Sequence, residues 1–415
     1  MTQNLILLNL DFSSPYVLII AASVIIVLSY LYGLLAEKTS IPSVLMLIIT
    51  GVLIKLGLDK AGVGSPDLMP SLEVLGIVGL IMIVLEAALD LRVTKETLPL
   101  IGKSFLIALL ALLLSTFAVA ALLMGSLPMD FMHALLYATP LCIMSSAIII
   151  PSVGKLTGHK KEFMIYESAF SDILGIMQFY FLLSLMEAGG SAAISGFLIS
   201  FFVTIIVAII ASYVLVFIFK DLKGHTRLFL LIAILLILYA LGKLMHLSPL
   251  LIILIFGLSL SNHQTVFRVF KKYWANDAED PIEKIEKEFH LITLETAFVV
   301  RTFFFVIFGM TIALSSLVNL NVFFISFGIL ACLYIVRFIL LKLFMKKDIY
   351  PELYIAPRGL ITILLFFAIP ATYMIEEFDS GILLYVILIS SLVMTYGLIK
   401  DSKKMVEKED AGEGL

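Results

Sequence analysis

Charge is what this chain has least of. Asp, Glu, Lys and Arg make up only 14% of its 415 residues, against 61% hydrophobic, and mean hydropathy is +1.12. A soluble globular chain is about a quarter charged and about half apolar, so a water-surrounded fold is excluded. Cysteine is nearly absent too. Cys142 and Cys332 both lie in apolar runs, which argues against a disulfide or metal pair and leaves small buried hydrophobes. The six histidines are scattered without metal-ligand spacing, and there is no glycine-rich phosphate loop. No cofactor is therefore expected. A net charge of −3 gives no reason to expect a nucleic-acid partner. The opening residues, MTQNLILLNLDFSSP, lack the basic stretch and small-residue cleavage site of a secretory signal.

What the chain has instead is length of apolar run. YVLIIAASVIIVLSYLYGLL and GFLISFFVTIIVAIIASYVLVFIF each reach the ~20 residues that cross a bilayer as a helix. A spanning β-barrel would show short alternating segments. The sequence predicts an all-α polytopic membrane protein of about thirteen transmembrane helices, near 15–36, 42–58, 72–91, 101–124, 131–153, 162–187, 193–219, 226–244, 249–262, 289–313, 321–345, 352–374 and 380–400. Basic residues collect in every second connection: Lys38; Arg92, Lys95 and Lys103; Lys155, Lys160 and Lys161; Lys220, Lys223 and Arg227; Arg268 to Lys287; Lys342 to Lys347; and the tail. The opposite connections hold Lys55, Lys60 and Lys243, and the EEFD turn at 376–379 is acidic. Cytoplasmic loops are the basic ones, so the N-terminus is expected outside and the C-terminus inside, in the cell (plasma or inner) membrane.

Three arginines, Arg301, Arg337 and Arg358, fall within spans or near their ends. An arginine in hydrocarbon costs at least ~2.5–3.5 kcal/mol and normally faces a partner or a water-filled cavity. Arg358 is a turn or two into its span, where it can snorkel to the interface. Arg337, deep in ISFGILACLYIVRFILLKLF, needs an acid. Intramembrane acids are few: Glu86 in IVLEAALDLR, and Glu167 and Asp172 in YESAFSDILG, with Asp90 and Glu295 at span ends. Ser168 and Asp172 share one helix face, whereas Glu167 and Asp172 are about 140° apart around the axis. The two acids therefore have different tasks. One can pair with Arg337 as a fixed bridge; the other, beside a hydroxyl, can exchange a proton for a cation, a role suited to a buried carboxylate without a counter-charge.

Two spans carry helix breakers inside. The fifth reads ATPLCIMSSAIIIP, with Pro140 and Pro151; the twelfth reads APRGLITILLFFAIP, with Pro357, Gly359 and Pro370. Proline removes a backbone donor and kinks or ends a helix, and in lipid the freed groups must face protein or a polar cavity. Matching interruptions in two halves point to an inverted-repeat transporter. The expected organisation is a single transmembrane domain over 1–400, with repeat 1 at about 15–187, a linker helix at 193–219, repeat 2 at about 226–400, and a short cytoplasmic tail at 401–415.

These residues resemble the monovalent cation/proton antiporter superfamily, specifically its NhaP-type, exchanger-like branch. YESAFSD resembles that branch's E-S-x-x-N-D motif, ATP at 138–140 its T-D-P, IVRFIL its arginine-bearing eleventh span, and APRGLITILL its G-x-R-G-A stretch. VLEAALDLR is similar to F-E-x-G-L-x-L-D. The resemblance implies that Asp172 exchanges the proton and the transported Na⁺, with Ser168, Thr139 and Glu86 as co-ligands. It implies a Glu167–Arg337 bridge, accessory roles for Pro140, Ser171, Arg358, Gly359 and Arg301, and a homodimer whose core moves as an elevator. Ser171 stands where the branch has Asn or a second Asp, and the T-D-P aspartate is missing. With one free carboxylate, electroneutral Na⁺/H⁺ exchange is expected rather than enzymatic chemistry. A K⁺/H⁺ (or Li⁺) antiporter is the alternative, and a cation channel a more distant one. The charged connection 263–288, with VFRVFKKYW, reads as a linker on the membrane surface, with Asp280-Pro281 opening the next helix. The short tail speaks against a nucleotide-gated potassium-efflux type.

Overall fold

The computed structural model describes residues 15–39, 41–60, 68–91, 94, 96–154, 156, 158–219, 227–245, 247–266, 281–311, 318–345 and 349–410. Residues 267–280, with most of the expected surface linker and Asp280, lie outside the described residues, as do basic loop positions such as Arg92, Lys155, Lys220 and Lys346. Among the described residues there is helix and no strand. The helices are α1 (Pro15–Thr39), α2 (Ser43–Lys60), α3 (Met69–Asp90), α4 (Leu98–Ser126), α5 (Phe131–Cys142), α6 (Ser146–Ser152), α7 (Gly158–Ala188) and α8 (Gly190–Phe219). They continue with α9 (Arg227–Leu244), α10 (Pro249–Ser261), α11 (His263–Val266), α12 (Pro281–Thr311), α13 (Leu320–Met345), α14 (Leu360–Phe367) and α15 (Gly381–Asp410).

Local chemistry sets the starts. Proline opens α3, α4 and α10 at the first or second position, where no intrahelical donor is lost. Asp130 caps α5 by accepting the His133 N–H at 3.0 Å. Nine helical segments among the described residues are long and apolar enough to cross a bilayer. Helix α10 has 13 residues, about 20 Å of rise, and is shorter than the ~30 Å hydrocarbon core.

Helix is present in each of the thirteen expected segments, and the fifth and twelfth are interrupted as expected. In the fifth, α5 runs through Pro140 to Cys142, and the chain is extended only around Ile143–Ser145 before α6. Pro140 removes one intrahelical donor, which the helix tolerates; the break comes where other groups take over the backbone. In the twelfth, residues 352–359 are turn and extended chain, and helix is confined to α14 and a 3-10 turn at Ala371–Tyr373. Pro351, Pro357 and Gly359 account for this, since proline also drives the residue before it out of the helical region. At the chain's end α15 continues to Asp410, so the first ten residues of the expected tail extend the last helix.

The helices pack as two bundles. Helices α1, α2, α3, α8, α9, α10 and α12 form one; α4, α5, α6, α7, α13, α14 and α15 form the other. The seam between them runs along α7 against α8 and α14 against α3. In the first bundle α2 and α12 meet glycine to glycine. A Cβ on Gly51 would lie 2.0 Å from the Val306 carbonyl, and one on Gly309 would lie 2.2 Å from that of Ile48. Such small-residue crossings let transmembrane backbones approach closely.

Candidate functional site

An interrupted helix leaves orphan carbonyls on one side of the gap and orphan N–H groups on the other. Here both sides are answered by side chains from elsewhere. Arg358, buried in the extended part of the twelfth span, donates from Nε to Leu141 O and from Nη2 to Cys142 O, both at 3.1 Å. Its Nη1 donates to Ala356 O. A cation at a helix C-terminus is favourable. Arg358 therefore does not snorkel, as its place near a span end suggested; it caps α5. Its own N–H donates to Ser390 Oγ at 3.0 Å.

On the other side of the gap, α7 supplies two acceptors. Ser171 Oγ accepts the Met144 N–H at 3.0 Å. Asp172 Oδ2 accepts Ser146 Oγ in a short hydrogen bond, and the Ser146 N–H at 3.4 Å. Asp172 is 3% exposed, and its Oδ1 is buried without a hydrogen-bond partner among the described residues. Ser145 Oγ, in the gap, is likewise without one.

The two interruptions cross each other. The Ser145 N–H donates to Pro357 O at 2.9 Å. Gly359 sits over the crossing: a Cβ there would fall 2.6 Å from Ser145 Oγ and 2.9 Å from Ile148 Cδ1. Its φ of −165° is open to any residue, so space, not backbone conformation, demands glycine.

Glu167, fully buried one turn before this group, faces Arg337 instead. Arg337 donates to its two oxygens at 2.8 and 3.0 Å, and from Nε and Nη2 to the Glu352 carbonyl at 3.0 and 2.8 Å. This is the bidentate geometry that guanidinium and carboxylate favour. Lys160 stands 3.8 Å from the buried Glu352 carboxylate and donates to Tyr350 O.

The remaining expected residues lie around this centre without hydrogen-bonding to Asp172. Ser168 Oγ donates to Ile165 O, and Thr139 Oγ1 donates to Leu135 O while accepting from Gln178 Nε2 at 3.1 Å. Arg301 reaches from α12 in the other bundle to Ala147 O, at 3.1 Å. Glu86, on α3 and buried, has Arg301, Asp90 and His290 as its charged surroundings, and Asp90 Oδ1 is 3.1 Å from His290 Nε2. Two participants were not singled out from sequence. Ser146 is the direct partner of Asp172, and its signal was the Ser-Ser pair inside an interrupted span. Glu352 acts through its backbone carbonyl, which no side-chain pattern announces.

The arrangement holds a buried carboxylate in a protein-lined gap with neutral donors on one oxygen and no hydrogen-bond partner on the other among the described residues. That suits reversible binding of a proton or a small cation.

The family described as "Sodium/hydrogen exchanger, transmembrane" matches residues 23–399. Among solved structures, the sodium proton antiporter MjNhaP1 from Methanocaldococcus jannaschii at pH 8 superimposes with a TM-score of 0.67 at 21% identity, covering 92% of this chain and 95% of that one. An electron-microscopy structure of the same antiporter gives a TM-score of 0.67 at 19% identity, covering 97% and 99%. No curated protein matches the chain by sequence.

Proposed function

The chain belongs to the sodium/hydrogen exchanger family, a family of transporters rather than enzymes, and from that premise we propose that it exchanges Na⁺ for H⁺ one for one at Asp172. The observation that carries the proposal is the buried Asp172 carboxylate in the helix gap, with Oδ2 held by Ser146 and Oδ1 without a hydrogen-bond partner among the described residues. A bare carboxylate in a low-dielectric site is costly, whereas a protonated or cation-paired one is locally neutral. The loaded states can then move across the membrane and the empty one cannot, which is the condition for obligatory exchange. With one such carboxylate the cycle moves no net charge.

Ser168 and Thr139 keep lone pairs after their helix-directed hydrogen bonds and serve as further oxygen ligands, with Glu86 as a carboxylate on the approach. The two six-span repeats flank the linker helix at 193–219, the core bundle moves against the other, and the protein works as a homodimer. The basic loops put its C-terminus in the cytoplasm of a cell whose plasma or inner membrane it spans.

The test is dissipation of a pH gradient in proteoliposomes, with Na⁺, K⁺ and Li⁺ compared side by side. Na⁺ is expected to drive exchange, and Asp172→Asn to abolish it. Exchange at the wild-type rate in that variant would sink the assignment; equal or faster exchange with K⁺ would instead favour a K⁺/H⁺ antiporter.

A further inference from the structure

Two cavities meet at the membrane end where α7 finishes, α3 begins and α9 ends. One, of about 540 Å³, lies between α3, α9 and the end of α14 and includes Glu73 and Tyr239. The other, of about 760 Å³, lies between α7, α8 and the α9–α10 turn and includes Glu187 and Phe197. Both volumes are in the ~300–1,000 Å³ range of small-molecule sites. Their shared wall contains Tyr180, Lys243, Ala368 and Pro370. Lys243 Nζ stands 5.4 Å from the centroid of the Tyr180 ring, a cation–π contact that fixes the ammonium at the junction. The function assigned above uses neither Lys243 nor Glu187.

We propose that this junction binds a phospholipid with a primary-amine headgroup, phosphatidylethanolamine, its phosphate on Lys243, its ammonium on Glu187, and an acyl chain in the aromatic gap between α7 and α8. Three features select this ligand. The gap opens beside an apolar face of α8 on which Ile199 and Phe202 are 65% and 60% exposed, the surface a bilayer covers. One lysine with Glu187 and Glu73 on the same walls disfavours a purely anionic headgroup, because each extra negative charge would face a carboxylate. A quaternary choline has no N–H to donate to Glu187, whereas an ethanolamine ammonium has three. The site lies on the seam between the two bundles, so an occupant touches both α7 and α9.

Binding is read on the purified full-length protein in detergent, by native mass spectrometry and by thermal unfolding with added lipid. Phosphatidylethanolamine is expected to bind about tenfold more tightly than phosphatidylcholine, the ratio lost with one hydrogen bond to a charged group. Mono- and dimethylated headgroups should retain most of the affinity, and the third methyl should remove it. Glu187→Gln should abolish the preference, and Lys243→Gln, which loses the contact to the phosphate that both headgroups carry, should weaken the two lipids alike. Equal binding of the ethanolamine, choline and glycerol headgroups by the wild-type protein would overturn the proposal, as would an unchanged preference in Glu187→Gln or an unchanged affinity in Lys243→Gln. The methylation series uses the wild-type chain alone, and none of these readouts depends on transport.

Discussion

Replacing Glu167 by Gln takes the carboxylate charge from beneath Arg337 while keeping the shape of the side chain. In the wild-type protein both ions are buried, at 4% and 0% exposure, and joined at 2.8 and 3.0 Å. Removing one member of such a pair costs about 3–5 kcal/mol, because the other charge is left in a low-dielectric setting. The two variants should not cost the same. In Glu167→Gln, Arg337 keeps two hydrogen bonds to the Glu352 carbonyl, so about 3 kcal/mol is expected. In Arg337→Gln, Glu167 keeps no charged donor among the described residues, so the loss should approach about 5 kcal/mol. The double variant Glu167→Gln/Arg337→Gln restores neutrality and should fall at least about 2 kcal/mol short of the sum of the singles, the coupling expected for residues in direct contact. The assay is reversible denaturant unfolding of the purified protein, wild type and three variants in one cycle. Additivity within about 0.5 kcal/mol, or a costlier Glu167→Gln than Arg337→Gln, would refute the reasoning.

Ser146→Ala removes the hydroxyl held against Asp172 Oδ2; the cation concentration for half-maximal exchange should rise about tenfold, one hydrogen bond to a charged group, and an unchanged value would remove Ser146 from the site. Gly359→Ala places a methyl 2.6 Å from Ser145 Oγ and should cost about 1–3 kcal/mol by overpacking, with slowed exchange. Gly33→Ala, inside α1 where a Cβ meets nothing within 4 Å, is the control without overpacking and should be neutral or stabilising by up to about 1 kcal/mol. Asp130→Ala should cost about 1 kcal/mol at pH 7 through loss of the α5 cap. The His133 N–H holds the Asp130 carboxyl below its ordinary value. A depressed carboxyl contributes stability above its unfolded value, near pH 4, and loses it as pH falls through the folded one. The difference between wild type and Asp130→Ala should therefore shrink in unfolding measurements at pH 3, and a difference that grows there would contradict the cap.

The span count was legible because hydrocarbon imposes one rule on every segment, and a continuous apolar run of about 20 residues has few other meanings. The helix breaks were legible as places and not as positions. Pro140 and Pro151 flag the fifth span, yet the break lies between them, at Ile143–Ser145. What decides it is Arg358, more than two hundred residues away in sequence, capping Leu141 and Cys142. A local pattern carries no trace of such a partner. In the twelfth span the interruption was legible from its breakers but the extent of the non-helical stretch was not, since part of the 352–359 backbone is answered by Arg337, Ser145 and Ser390 from elsewhere. Ser171 illustrates the limit at the site. As a letter in a motif it bore on stoichiometry; in the fold its hydroxyl is occupied by the Met144 N–H.

The three intramembrane arginines explain why Asp172 stands apart. Each is costly in hydrocarbon unless it finds acceptors, and each finds different ones: Arg337 the Glu167 carboxylate, Arg358 the last carbonyls of α5, Arg301 the carbonyl of Ala147 in α6. All three answer backbone in the interrupted spans, Arg337 through the Glu352 carbonyl as well as the carboxylate, so the breaks and the arginines are mutually required. Neither could persist in lipid alone. Among the described residues none of these guanidiniums hydrogen-bonds to Asp172, which keeps only the neutral donors of Ser146. Had Arg301 been aimed one residue earlier, at the side chain that Ser146 holds, the carboxylate would be permanently paired and useless for exchange. Satisfying the arginines with carbonyls is what leaves a carboxylate able to trade one cation for another.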